Sequence, residues 1–251
     1  MKKLYLVVVF SIFFISPLLA QKRSVKIIYI GDSITFGAGL DNAFTQAPPV
    51  KASEYLRKQP RIDSVEFSNQ GHSGYTTFDF LPAGAAFTAA ETAAKSISDK
   101  AGILIFSIML GTNDSAVKGT NGAPVSPETY FANLNTIVNQ LIEDFPQSKV
   151  IINLPLWYSP NTHNGAQYLQ AGLNRLQSYS NPIKKLVKTA HNDQVFLGDT
   201  AAFNYFKNNY LTRLKPENGH EGVFYLHPNQ EGAADLGILW GKAIYAILRK
   251  L

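Results

Sequence analysis

Short apolar runs alternate with segments of helical periodicity along most of the chain. Five apolar runs predict β-strands, at residues 25–30, 65–67, 103–110, 150–154 and 194–197. The intervening or following segments predict helices over residues 47–58, 89–98, 127–145, 165–190 and 228–251. Strands that are apolar throughout are typical of parallel sheets covered on both faces. The pattern therefore predicts an α/β fold with helices on both sides of a parallel sheet.

Local signals set the ends of several predicted helices. Ser126 is placed to cap the helix at 127–145, and Asn181-Pro182 is expected to break or kink the long segment 165–190. Pro228 is expected to be the first residue of the last helix, because proline is favoured there.

The first twenty residues resemble a secretory signal. Lys2 and Lys3 precede an apolar stretch over residues 4–15, and a small residue, Ala20, follows Pro17 at the expected cleavage site. The alternative, a membrane anchor, is less favoured because the apolar stretch is short for a spanning helix. We expect residues 1–20 to be removed, the mature protein to be secreted or periplasmic, and no stable membrane insertion to remain.

The rest of the chain is expected to fold as one domain. Its 251 residues are 45% hydrophobic, enough for one large core, and residues 21–251 contain no repeat or linker-like stretch. The absence of cysteine excludes disulfides and thiolate sites. The formal charge of +5 falls by two without Lys2 and Lys3, and no basic stripe indicates nucleic-acid binding.

No cofactor or metal is expected from the sequence. The five histidines and the acidic residues show none of the compact spacings that zinc hydrolases use. Gly37-Ala38-Gly39 is followed by Asn42 where the dinucleotide-binding fingerprint has its third glycine, so that motif is not matched.

Polar, glycine-containing loops follow three of the predicted strands, and a fourth opens the last helix. Because ligands bind beyond the carboxyl ends of parallel strands, we expect these loops to meet at one edge of the sheet. They supply a hydroxyl, backbone N–H groups, a carboxamide and an imidazole, within residues 31–35, 69–74, 111–114 and 226–229.

This set of groups is what acyl transfer requires. A serine hydroxyl becomes a useful nucleophile when an imidazole accepts its proton, and Ser33 with His227 would supply that pair. Fixed N–H donors must also stabilise the oxyanion. The expected donors are the backbone N–H groups of Ser33 and Gly71 and the side chain of Asn113.

The four loops resemble the conserved blocks of the SGNH hydrolases, the GDSL-type esterase superfamily. Ser33, Gly71, Asn113 and His227 match the four residues that name the family. The resemblance implies a flavodoxin-like three-layer α/β/α sandwich with a five-stranded sheet, metal-independent ester hydrolysis and an acyl group carried on the serine.

One position departs from that family. An aspartate usually stands three residues before the histidine and orients it, whereas this chain has Phe224 there. Either a backbone carbonyl holds His227, leaving a Ser–His dyad, or another acid reaches it. Glu221, Glu217 and Asp199 are the candidates, and the dyad or Glu221 is favoured.

Substrate residues are harder to predict. Trp157 and Tyr158 follow the fourth strand and could stack on a sugar ring, or simply pack on the sheet edge. Asp32 and His72 lie beside expected catalytic residues, Asp32 more plausibly as a support for its loop. An acyl pocket could be formed by three phenylalanines, Phe78, Phe80 and Phe87.

These features favour a carbohydrate O-acetylesterase that acts on a small-molecule or carbohydrate ester. The alternatives are a lysophospholipase or acyl-thioester hydrolase with the same Ser–His machinery, and a carbohydrate-binding relative that has lost catalysis.

Overall fold

The computed structural model describes residues 22–98, 102–190 and 193–251, so the predicted signal segment lies outside the described residues. Its central sheet is parallel, with the strand order β2-β1-β3-β4-β5. The strands are β1 (Arg23–Gly31), β2 (Ile62–Gly71), β3 (Ile103–Met109), β4 (Lys149–Ile152) and β5 (Val195–Leu197). The five-stranded parallel sheet and the flavodoxin-like order are thus confirmed.

Helices cover both faces of this sheet. They are α1 (Ser33–Phe36), α2 (Ala43–Gln46), α3 (Pro48–Arg57), α4 (Ala85–Ser98), α5 (Pro127–Asp144), α6 (Leu169–Ser178), α7 (Ser180–Thr189), α8 (Ala202–Arg213) and α9 (Gln230–Leu248). Helices α3, α8 and α9 pack together, and α5, α6 and α7 form a second group. Right-handed crossovers place α4 with the second group. The result is a three-layer α/β/α sandwich.

Strand β1 lies between β2 and β3 and is buried on both faces, as its continuous apolar sequence predicts. On one face Tyr29 stacks on Trp240 of α9, with ring centroids 6.1 Å apart, and meets the edge of Phe67 in β2. The strand therefore ends at Gly31 with a fixed direction, which sets the position of the loop that follows.

Several predicted helix boundaries differ in the structure, and α4, predicted over residues 89–98, begins at Ala85. Ser126 caps α5 by accepting a hydrogen bond from Thr129 N, as expected. The segment predicted as 165–190 divides at Tyr179, and Asn181-Pro182 lies in the first turn of α7, where proline is tolerated. Helix α9 begins at Gln230 with Asn229 as its cap, so the prediction that Pro228 starts this helix is wrong.

The chain before α9 forms a β-hairpin that the sequence pattern did not predict. Its strands, β6 (Leu214–Gly219) and β7 (Gly222–Pro228), pair antiparallel, separate from the main sheet. Helix α8, which precedes the hairpin, was also not predicted. In the described part of the chain, no helix is long and apolar enough to cross a membrane.

Candidate active site

Ser33 stands at a sharp turn between β1 and the single helical turn α1. Asp32 caps that turn, because its Oδ1 accepts a hydrogen bond of 2.9 Å from Ile34 N. A Cβ at Gly31 would overlap the Thr35 side chain and lie 2.8 Å from Met109 O. Only glycine therefore lets the chain turn this tightly, and the turn leaves Ser33 at the carboxyl edge of the sheet.

His227 links Ser33 to a carboxylate. Its Nε2 lies 3.0 Å from Ser33 Oγ, and its Nδ1 lies 2.9 and 3.1 Å from the two oxygens of Glu217. Glu217 Oε1 also accepts a bond of 3.3 Å from the His227 backbone N–H. Serine, imidazole and carboxylate thus form one hydrogen-bonded line.

The carboxylate in this line is Glu217, so both favoured expectations, a Ser–His dyad and Glu221, are wrong. Glu221 lies at the hairpin turn, with its Oε1 3.6 Å from His163 Nδ1. Asp199, the other candidate, accepts hydrogen bonds from Ala201 N and Ala202 N at the start of α8.

Hairpin register explains how Glu217 replaces the family's aspartate. Glu217 on β6 is paired directly opposite Phe224 on β7, the position where the family usually has its acid. Directly opposed residues of an antiparallel pair project from the same face. The acid that orients His227 therefore lies on β6, opposite the position where the family has it, and Phe224 is buried in the core.

Gly71 does not face the pocket beside Ser33, contrary to its expected role. Its backbone N–H donates a 3.0 Å bond to Asn69 Oδ1, within its own loop. A Cβ at position 71 would overlap the backbone of Phe36, so glycine is needed here to pack α1 against β2. The glycine that lines the pocket is Gly74, which has a φ of +82°. No acceptor for the Gly74 N–H is found among the described residues.

Asn113, after β3, is held at both ends of its carboxamide. Its Nδ2 donates a 2.9 Å bond to Tyr75 O, and its Oδ1 accepts a 2.6 Å bond from the Tyr168 hydroxyl. The side chain lines the same pocket as Ser33 and His227. Its second Nδ2 hydrogen is therefore available to a ligand.

Two buried carboxylates support these loops. Burial raises the pKa of Asp32 to about 6 and that of Asp114 to about 7. The hydrogen bonds that each carboxylate accepts favour its charged form, but they offset only part of this effect. Asp114 accepts bonds from both the backbone N–H and the hydroxyl of Thr77, joining the loop after β2 to the loop after β3. Asp32 has no exposed surface, so it supports its loop and does not bind substrate.

The catalytic groups open into a pocket of about 300 Å³. Its walls are mostly small or polar, and they include Ala38, Ser73, Gly74, Gly119, Thr120 and Ala166. Asn164, Leu226 and the edge of Tyr168 complete the lining. None of the described residues that line this pocket is an aspartate, glutamate, lysine or arginine.

Other residues predicted to bind substrate lie elsewhere. Trp157 is buried against Tyr210, with ring centroids 5.3 Å apart, and the buried Tyr158 bonds to Ser115 Oγ at 2.9 Å. His72 stacks on Tyr75 and does not line the pocket.

The predicted acyl pocket is also not formed. Phe80 and Phe87 are fully buried in the core, and Phe78 packs against it. Among the described residues, no cluster of three or more histidine or acidic side chains is arranged to hold a metal ion.

A parallel α/β sheet with serine, histidine and carboxylate in line at its carboxyl edge is the arrangement of α/β serine hydrolases. Residues 29–234 match the GDSL-like lipase/acylhydrolase family, and the chain belongs to this family. It is a carboxylic ester hydrolase, as the sequence resemblance predicts. No curated protein matches the chain in sequence.

Solved structures show the same fold at low sequence identity. A lipase/acylhydrolase from Enterococcus faecalis is 20% identical with a TM-score of 0.59, over 88% of this chain and 95% of that one. Est24, a carbohydrate acetylesterase from Sinorhizobium meliloti, is 18% identical with a TM-score of 0.59, over 90% and 100%. An aryl esterase from M. smegmatis is 16% identical with a TM-score of 0.58, over 88% and 99%.

Proposed function

We propose that this protein removes acetyl groups from neutral polyols such as carbohydrates, through an acyl-enzyme on Ser33. The observation that carries the proposal is the line Glu217–His227–Ser33, which ends in a small pocket with polar walls. The family sets the reaction class, and the pocket indicates the substrate.

The line of residues defines the proton transfers. His227 Nε2 takes the Ser33 proton as Oγ attacks the ester carbonyl, while Glu217 holds Nδ1–H and stabilises the imidazolium. The imidazolium then protonates the leaving alcohol oxygen, and the acyl group stays on Oγ. Water, deprotonated by His227, attacks the acyl carbonyl, and the imidazolium returns the proton to Ser33 Oγ as acetate leaves.

Three donors stabilise the negative oxygen of each tetrahedral intermediate. They are the backbone N–H groups of Ser33 and Gly74 and the free Nδ2 hydrogen of Asn113. Gly74 takes the role expected of Gly71, because it lines the pocket and its N–H has no acceptor among the described residues. Removing one such donor costs about 2.7–4 kcal/mol of transition-state stabilisation.

Pocket size favours a short acyl group. A volume of about 300 Å³ must hold both the acyl group and part of the alcohol, and alanine and glycine form much of its wall. Apart from Leu226 and Tyr168 the lining of this pocket is small or polar, so it offers little apolar surface to the long chain that a lysophospholipase binds. The complete serine–histidine–carboxylate line opposes the alternative of a binding protein that has lost catalysis.

The polar wall favours a hydroxyl-rich alcohol. Ser73, Thr120 and Asn164 offer hydrogen-bonding groups, and the described lining holds no cation to pair with a phosphate or carboxylate. Est24, which shares the fold, is named a carbohydrate acetylesterase, and this supports the same choice. Export belongs to the proposal as well, supported by the signal-like residues 1–20.

A substrate panel tests this proposal. Purified protein, with EDTA present, is assayed on acetylated monosaccharides and xylo-oligosaccharides and on p-nitrophenyl esters of increasing acyl length, with Ser33→Ala as the matched control. We expect kcat/KM to be highest for acetyl and to fall with each added methylene. Faster hydrolysis of octanoyl than of acetyl esters, or activity that persists in Ser33→Ala, would contradict it.

A further inference from the structure

Tyr168 occupies a position that the triad alone does not explain. It lies in the loop before α6, its ring is buried, and its hydroxyl reaches Asn113 Oδ1 at 2.6 Å. We propose that Tyr168 is a positioning residue that aims the Asn113 carboxamide at the oxyanion; this inference rests on the proposed ester hydrolysis.

The hydrogen-bond partners fix the direction of each bond. Tyr75 O can only accept, so the nitrogen of the Asn113 amide must face it. The amide oxygen then faces Tyr168, whose hydroxyl must donate. One Nδ2 hydrogen is used by Tyr75, and the other is left on the pocket side. If the amide turned over, its oxygen would face the Tyr75 carbonyl oxygen, which can only accept, and the Tyr168 hydroxyl would lose the oxygen to which it donates.

The Tyr168 hydroxyl is suited to act as a permanent donor. Burial raises the pKa of Tyr168 well above its ordinary value, so the hydroxyl keeps its proton across the neutral pH range. A donor on the amide oxygen also polarises the amide and strengthens its N–H groups as donors. The effect is greatest when the acceptor is an oxyanion and smaller when it is a neutral ester carbonyl.

The loop that carries Tyr168 is itself fixed to both halves of the site. The backbone N–H groups of Tyr168 and Leu169 both donate to Thr162 O at 3.1 Å. Ser159 N donates to Tyr225 O, and Tyr225 N donates to Ser159 Oγ, which joins the loop to strand β7. The loop therefore carries Tyr168, which holds Asn113, and it also contacts strand β7, which carries His227.

Tyr158 provides a matched control in the same region. It is also fully buried, its ring meets that of Tyr168 with centroids 5.4 Å apart, and its hydroxyl bonds to Ser115 rather than Asn113. Tyr158→Phe and Tyr168→Phe each remove one buried hydroxyl. Only the second removes a contact to the proposed oxyanion donor.

Steady-state kinetics on an acetyl ester, per active site titrated with a fluorophosphonate, separate the two variants. We expect Tyr168→Phe to lower kcat by about tenfold, less than the 10²–10³ for loss of a whole donor, with KM within about twofold. Tyr158→Phe should keep kcat within about twofold, with a similar shift in melting temperature. Equal kcat for wild type and Tyr168→Phe would overturn the inference and leave the proposed function intact.

A double-mutant cycle tests whether Tyr168 acts through Asn113. In an Asn113→Ala background, Tyr168→Phe should change kcat by less than about twofold, because the group it positions is gone. A full tenfold loss in that background would show that Tyr168 acts independently, and would overturn the inference. Absence of ester hydrolysis in the wild type would overturn this inference and the proposed function together.

Discussion

Replacing Glu217 by Gln is the sharpest test of the active-site assignment. The carboxylate faces His227 Nδ1 with both oxygens, at 2.9 and 3.1 Å. Gln keeps the shape but loses the charge, and its amide can hold the ring only through one oxygen. It therefore weakens both the choice of tautomer and the stabilisation of the imidazolium.

The expected loss follows from the exposure of the pair. Removing the charge of a buried triad carboxylate lowers kcat by about 10⁴. The side chain of Glu217 is 26% exposed, so solvent screens its charge and a loss of about 10⁴ is the upper limit. We expect kcat to fall by about 10² to 10⁴, which is about 2.7–5.4 kcal/mol of transition-state stabilisation. KM should change little, because the carboxylate does not line the pocket.

Glu221→Gln is the control for this experiment, since it removes a carboxylate from the same hairpin. Both variants are assayed on an acetyl ester after active-site titration, and Glu221→Gln should stay within about twofold of wild type. A small effect of Glu217→Gln, or an equally large effect of Glu221→Gln, would refute the assignment of Glu217 as the acid that orients His227.

Two further predictions concern stability. Because the pKa of Asp114 is raised to about 7 when folded, the unfolded state releases that proton at lower pH, and stability should fall as pH rises from about 4 to about 7. Thermal melts should show a weaker fall in Asp114→Asn, and an unchanged pH slope would contradict the burial argument. Gly71→Ala should melt well below Gly74→Ala, because its Cβ overlaps the Phe36 backbone, whereas a Cβ at position 74 meets no atom within 4 Å and costs only the strain of its φ of +82°. The reverse order in calorimetry would show that Gly71 is not a packing position.

The parts of the site that the sequence predicts are those set by local chain direction. Ser33 and Asn113 follow β1 and β3, whose apolar runs identify them, and the parallel sheet brings their carboxyl ends together. Nothing further along the chain is needed to place these two residues. The apolar runs also predict the five strands of the main sheet in their order along the chain.

The errors concern the directions of individual side chains and backbone groups. Two glycines lie within residues 69–74, and only the backbone conformation shows that Gly74 lines the pocket while the Gly71 N–H turns to Asn69. Trp157 follows β4 as predicted, but its ring points into the core. Sequence spacing predicts which loop carries such a residue, but it does not predict where the side chain or the backbone N–H points.

The hairpin was missed because its first strand does not look like one. Residues 214–219 contain Pro216, Asn218 and Gly219, which are typical of turns, and they lack the alternating apolar pattern of a strand. Glu217 could be chosen over Glu221 only from the register of the hairpin. The sequence alone therefore does not identify the acid, because its position depends on the pairing of β6 with β7.

His227 and Glu217 lie on the same hairpin, so the two side-chain contacts of His227 depend on different parts of the fold. The contact with Glu217 is set by the pairing of β6 with β7, within a span of ten residues. The contact with Ser33 depends on how the whole hairpin packs against the sheet. The two hydrogen bonds between Ser159 and Tyr225 fix that packing on one side. On the other side, the backbone N–H of Asn229, the N-cap of α9, donates to Arg213 O. Because residues 217 and 224 are paired across the hairpin, an acid at either position can reach the imidazole. Phe224 can therefore be buried while Glu217 completes the triad.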